Sequence, residues 1–244
     1  MEKTQKAILK TLAFFAIFER PLTLDEIWHF LYKVKASRLQ VLIGLKNLQK
    51  KKLMIKKDKY FFLKNHQKNL SDFQRKQMIC KERFKKVNWI IKILKYVPFT
   101  RNISVINSLS FGVSDENSDI DILIIAKKDR LWTVRAFAIL ILEILGQNKN
   151  KWYKAGMFCL GFAFDESKLS LEKLRLNSPI GGDIGFTYWL AQLEPVYDQK
   201  IYAELIKQNP WIFKDLPNWE AKIPKKETFK KSILEKFLLS KFGR

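Results

Sequence analysis

The chain has 244 residues, 47% of them apolar, which is enough to bury a sizeable core in one main domain plus a smaller one. Its net charge of +22 is unevenly distributed: residues 1–100 carry +17, residues 101–220 carry −1 and residues 221–244 carry +6. The two cysteines, Cys80 and Cys159, are too few and too poorly spaced for a disulfide framework or a zinc site, so a reduced, cytoplasmic protein is expected.

Residues 4–18 open the chain as a helix, with Ile8, Leu9, Leu12, Phe15 and Ala16 on one side. Its apolar run Leu12–Phe18 is too short for a secretory signal and ends at Glu19-Arg20-Pro21 without a small-x-small cleavage site. Thr23 with Glu26 makes a capping box for a second helix carrying Ile27, Phe30 and Leu31. Ser37 with Gln40 repeats the device and opens a third helix through Leu39, Leu42, Ile43, Leu45 and Leu48. Leu53–Ile55 and Tyr60–Leu63 then flank the polar Lys56-Lys57-Asp58-Lys59 as a β-hairpin.

Three helices followed by a basic hairpin resemble a winged-helix module over residues 1–66. That resemblance implies a third helix in the major groove, with Ser37, Arg38, Lys46 and Asn47 as groove-facing candidates, and a hairpin whose Lys56, Lys57 and Lys59 touch phosphates. The charge admits two kinds of partner or none: a DNA or RNA backbone releasing its counterions, an anionic membrane surface, or only water around a lysine-rich helical exterior. Winged helices also serve as protein docking units.

From Leu70 to Val97 the spacing of Phe73, Met78, Phe84, Val87, Ile90, Ile91 and Leu94 predicts one long helix with a basic outer face, closed by Pro98. Ile103–Ile106 reads as a short strand, broken by Asn107-Ser108. Asp119 and Asp121 follow, one residue apart and ahead of a β-branched and leucine run, so both carboxylates project from one face of a strand. Two such acids oppose each other's ionisation unless a divalent cation or a cationic partner sits between them. The same acids would also suit the solvated entrance to a strand behind the turn Asn117-Ser118.

A strand, a small hydroxyl, a short turn and then an acid pair ten residues on resembles the polymerase β-type nucleotidyltransferase superfamily. Ser108 matches its second small residue, Leu109–Ser118 the spacer and Asp119-Ile120-Asp121-Ile122 the acid pair, while Asn107 stands where the family has glycine. The resemblance implies transfer of a nucleoside monophosphate from a nucleoside triphosphate to a hydroxyl acceptor, on nucleic acid or protein. Two Mg²⁺ or Mn²⁺ ions would lie on Asp119 and Asp121, with Asn107, Ser108 and adjacent amides holding the triphosphate. It also implies a third carboxylate on a nearby strand. Asp165 is the first choice, with Glu166, Glu172 and Asp183 as alternatives. If the fold has lost its chemistry, the chain is instead a DNA-binding regulator.

Asp129–Gly146 predicts an apolar helix with Leu131, Val134, Phe137, Ala138, Ile141 and Leu145 toward the sheet. Its run Ala136–Leu145 is about ten residues, contains Glu143 and cannot span a bilayer. Met157–Phe164 reads as a buried strand. The aromatics Phe186, Tyr188, Trp189 and Tyr197 belong to core helices, unless a tyrosine stacks on a base. Lys225–Arg244 has the spacing of a basic amphipathic helix. His29 and His66 read as ordinary residues of the basic half, and no Walker loop, Gly-x-Gly-x-x-Gly or Gly-x-Ser-x-Gly occurs. The expected architecture is α+β: a winged helix at 1–66, a linking helix at 67–97, a nucleotidyltransferase-like domain at 98–220 built on a small mixed sheet with helices on one face, and a tail at 221–244.

Overall fold

In the computed structural model, which describes residues 2–64, 70–150, 155–176, 182–224 and Glu235, the chain is α+β with a small mixed sheet. Helix α1 (Lys3–Ala16) buries Ala7, Ile8, Leu12, Phe14 and Phe15 along one stripe. Strand β1 (Leu22–Thr23) leads into α2 (Leu24–His29) through the expected capping box: the Glu26 N–H donates to the Thr23 hydroxyl at 3.3 Å, and the Thr23 N–H donates to the Glu26 carboxylate at 2.8 Å. The helix stops at His29, so Phe30 and Leu31 are buried from the turn beyond it rather than from the helix itself.

Helix α3 (Arg38–Lys50) opens on the Ser37–Gln40 box. It buries Val41, Gly44, Leu45 and Leu48, whereas Leu39 and Ile43, counted among its apolar positions, are 64% and 48% exposed. Gly44 sets that rotation. A Cβ there would lie 2.7 Å from the Ile8 side chain of α1, so the two helices meet where no side chain intervenes. Strands β2 (Met54–Lys57) and β3 (Tyr60–Leu63) form the expected hairpin with a tighter turn, reversed at Asp58 in the left-handed region, and the antiparallel sheet runs β1-β3-β2.

Helix α4 (Leu70–Leu94) ends one turn before the Pro98 that was expected to close it, and Met78, placed in its apolar stripe by spacing, is 63% exposed. Then come β4 (Thr100–Val105), the single turn α5 (Asn107–Ser110), β5 (Ile120–Ala126) and α6 (Leu131–Ile144). Helix α6 buries Val134, Ala138 and Leu142 and ends at Gly146, whose φ of +62° only glycine adopts freely. Strand β6 (Phe158–Asp165), a 3₁₀ turn at Glu172–Leu174, α7 (Ile184–Ala191), β7 (Glu194–Asp198), α8 (Ile201–Lys207) and α9 (Trp211–Asp215) complete the described elements.

The second sheet runs β6-β5-β4-β7, with β5 and β6 parallel and the other pairs antiparallel. Two expectations change here. Met157–Phe164 is an edge strand rather than a buried one, because a continuous apolar run does not reveal whether a second neighbour exists. Pro195-Val196-Tyr197-Asp198, grouped by sequence with helices, forms the opposite edge, where proline costs no ladder hydrogen bond.

The described chain divides into two compact units. One gathers Met1–Gln77, Glu172–Ala191 and Pro210–Lys222, so the segment expected as a single 98–220 domain contributes to both. At its centre Tyr188 is fully buried against Phe14, Phe15, Phe30 and Tyr32, and its hydroxyl donates to the Phe30 carbonyl at 2.7 Å. The core reading of the aromatics therefore holds for Tyr188. In the same unit, burial and the neighbouring Lys222 push His29 below its ordinary 6.5, with Glu220 opposing them. A depressed histidine leaves the unfolded chain binding more protons just below pH 6.5, so stability falls on acidification through that window. His29→Gln is expected to flatten the acid side of the melting-temperature profile; an unchanged slope would contradict it.

The other unit packs α4 residues Val87, Ile90, Ile91 and Leu94 and α6 residues Val134, Ala138 and Leu142 against Ile120, Ile122 and Ile124 of β5. By strand alternation Asp121 lies on the opposite face of β5 from that cluster. Glu235 is buried here, accepting from the Phe99 N–H at 3.3 Å and the Arg101 guanidinium at 3.0 Å. The rest of the expected tail helix at 225–244 lies outside the described residues. No helix among the described residues is long and apolar enough to cross a membrane.

Candidate functional site

Asp119 stands at the mouth of β5, where the Ile120 N–H donates to the Met157 carbonyl at 2.8 Å and so fixes the start of the strand against β6. Asp121 is two residues on, and the expectation that both acids share one place holds. A carboxylate oxygen from each, together with the Cys159 sulfur, lie within 4.8 Å of one another. Cys159 is brought there by the parallel register, which sets it beside Asp121 on β6.

Asn107 closes the site from the β4 side. It adopts φ +58°, a conformation its short polar side chain tolerates, and its amide donates to Asp121 Oδ2 at 2.9 Å. Ser108 is tied inward instead: its hydroxyl lies 3.3 Å from that of buried Ser114, which accepts from the Arg83 guanidinium at 2.5 Å. Arg83 also donates to the Glu116 carbonyl at 3.0 Å, and Asp115 accepts from the Asn117 and Ser118 amides and the Ser118 hydroxyl. The loop between α5 and β5 is thus held at both ends.

Next to the acids, β6 carries a bulge: Ile122 pairs with Leu160 and Leu123 with Phe162, leaving Gly161 as the extra residue. A Cβ on Gly161 would come within 3.2 Å of Asp121 Oδ1, so the missing side chain leaves that carboxylate its room. On the other side Lys149 forms an ion pair with Asp119. Lys149 and Cys159 also line a cavity of about 360 Å³ with Arg135, Asn148, Asn150 and Phe158.

The electrostatics follow from this crowding. Burial raises the Asp121 carboxyl above its ordinary value and the Asp119 charge adds to it, while the Asn107 amide and Lys149 oppose the rise. The hydrogen bond to Asp119 holds Lys149 above the usual lysine range. Burial pushes the Cys159 thiol up, so it is not a poised nucleophile.

Asp165, expected as the third acid, is not brought to the pair. It lies at the far end of β6 opposite Ala126, where its carboxylate accepts from the Ser167 hydroxyl and amide and is held below its usual value. Glu166 accepts from the Lys128 amide at 3.2 Å, and Glu172 and Asp183 belong to the other unit. The place beside Asp121 belongs to Cys159, which counting cysteines against each other could not reveal. Nothing in the sequence marked Lys149.

In the first unit, the expected nucleic-acid residues are distributed as follows. The Ser37 hydroxyl is spent on its cap, and Arg38 pairs with Asp25 at 2.6 Å. Lys46 is exposed and Asn47 half-buried on α3, with Leu39 and Ile43 outward on the same helix. Lys56, Lys57 and Lys59 are all exposed on the hairpin, Lys56 over the Phe61 ring and Lys59 over the Tyr60 ring. No model of a known protein family, no curated protein and no solved structure matches the chain.

Proposed function

We propose that the chain is a metal-dependent nucleotidyltransferase that moves a nucleoside monophosphate from a nucleoside triphosphate to a hydroxyl acceptor. The observation that carries this reading is the convergence of Asp119 and Asp121 beside a left-handed residue that ends the preceding strand. The two carboxylates suit hard divalent ions such as Mg²⁺ or Mn²⁺, although the thiol beside them does not suit magnesium. Bound there, such ions supply Lewis-acid stabilisation of the attacking and leaving oxygens.

The chain's own residues do the rest by position. Asp119 and Asp121 hold the cations and Asn107 fixes the orientation of Asp121, while the Ser108 hydroxyl, turned to Ser114, leaves the triphosphate to the neighbouring backbone amides. A bond forms between the acceptor oxygen and the α-phosphorus, the bond to pyrophosphate breaks, and the hydroxyl proton passes to water. The helix, strand, helix, helix and hairpin order of the first unit, with its β1-β3-β2 sheet, supports a winged helix in which Lys46 faces the groove and Lys56, Lys57 and Lys59 contact DNA or RNA phosphates.

The Lys149–Asp119 pair favours a second reading, in which the ammonium is the permanent cation and the protein is a DNA-binding regulator with an inactive transferase fold. Incubation with labelled triphosphates and Mg²⁺ or Mn²⁺ separates the two. Metal-dependent labelling of an acceptor with release of pyrophosphate is expected; nucleotide binding without turnover would overturn the enzyme in favour of the regulator.

A further inference from the structure

We propose that Asp119, Asp121 and Cys159 together select a borderline, thiol-accepting divalent ion of the zinc and cobalt class over magnesium, and that this ion enters by displacing the Lys149 ammonium. The proposal rests on the reading of the acid pair as a cation site and concerns which cation it takes.

The donor set decides the choice. Magnesium takes oxygen ligands in near-octahedral order and gains nothing from a thiol, whereas zinc and cobalt accept carboxylate oxygen and cysteine sulfur in one tetrahedral shell. A shell with bonds of about 2.0–2.3 Å places neighbouring ligand atoms about 3.3–3.8 Å apart. The three ligand atoms already lie within 4.8 Å of one another, so modest rotamer changes close it. Gly161, bulged out of the β5–β6 ladder, leaves room beside Asp121 Oδ1, and Lys149 and Cys159 line a cavity of about 360 Å³.

The charge balance of the site belongs to Lys149, which pairs with Asp119. Its ammonium neutralises Asp119 where the ion's charge would do so, and two cations at that spacing repel. Entry of the ion therefore requires the lysine to swing to solvent, still protonated. The Cys159 S–H bond breaks as the metal–sulfur bond forms, so each ion bound releases one proton to solvent, about one per site. Magnesium on the carboxylates alone would release none.

Cobalt(II) is the probe, titrated into the full-length protein. We expect a near-ultraviolet thiolate-to-cobalt absorption band, proton release that scales with buffer ionisation heat in calorimetry, and an affinity for cobalt that excess Mg²⁺ does not challenge. Cys159→Ser should abolish the band and weaken cobalt binding about tenfold or more. Lys149→Met, which keeps the aliphatic stem, should strengthen it by a similar factor. Cobalt binding without the band, equal in the wild type and Cys159→Ser, would overturn the thiol ligand while leaving the acid pair as a cation site. No binding of cobalt, manganese or magnesium to the wild type or to Lys149→Met would overturn the cation site itself.

Discussion

Asp119→Asn and Asp121→Asn are each expected to lower the proposed metal-dependent nucleotidyl transfer by about 10²–10³-fold, the scale of losing one preorganised charge at a reacting phosphoryl group. The substitution keeps side-chain size and one carbonyl acceptor, so the Asn107 amide can still donate at position 121. What it removes is the negative charge that, on the proposed reading, would hold a cation against the triphosphate. The two variants should differ in a second measurement. Asp119→Asn strips Lys149 of its carboxylate partner, whereas Asp121→Asn relieves a carboxyl that burial and its neighbour already disfavour as an anion. Melting temperature should hold or rise for Asp121→Asn and fall for Asp119→Asn. Transfer that survives in both variants would remove the acid pair from the mechanism.

Asp215→Ala is expected to cost about 3 kcal/mol of stability, near the lower end for breaking a buried ion pair from one side. The Asp215 side chain is only 7% exposed and accepts from Arg175 at 2.5 Å and from the Thr187 hydroxyl at 3.0 Å, with Lys33 at 3.7 Å. Arg175 in turn stacks over the Trp211 ring, 4.2 Å from its centroid, so alanine leaves a half-enclosed guanidinium with its aromatic contact but no counter-charge. The same carboxylate helps burial hold the Tyr32 phenol near 12. Lys33 is 41% exposed and can turn to water, which keeps the loss below that of a fully sealed triad. Asp215→Asn, which retains an acceptor, should lose about half as much. Denaturant midpoints followed by tryptophan fluorescence measure both. A loss under about 1 kcal/mol, the value of an exposed pair, would mean that solvent already screens the cluster.

These two sites differ in how far the chain announces them. The acid pair was legible because strand alternation places residues two apart on one face, a rule that needs no knowledge of the fold. The Thr23–Glu26 and Ser37–Gln40 boxes and the lysine hairpin were legible for the same reason, since each is closed within three or four residues of itself. The left-handed backbone at Asn107 was also readable, because it is a local property of a residue whose short polar side chain tolerates it.

Local rules failed where a partner comes from elsewhere. Helix α3 follows its apolar spacing except at Leu39 and Ile43, and the cause, Gly44 against Ile8, lies on another helix. Asp215 meets Arg175 across 40 positions of chain, and Cys159 meets Asp121 only because β6 lies parallel to β5 in one register.

The sequence by itself determined the helices and their caps, the hairpin, the acid pair and the basic character of both ends, because these depend on backbone preference, side-chain period and charge. Only the tertiary structure decided that the third group at the acids is a thiol and not a carboxylate, that a lysine answers Asp119, and that residues 172–191 and 210–222 pack with the N-terminal unit. Those outcomes depend on strand register and helix rotation, which are set by packing between segments distant in the chain and leave no periodic trace within either one.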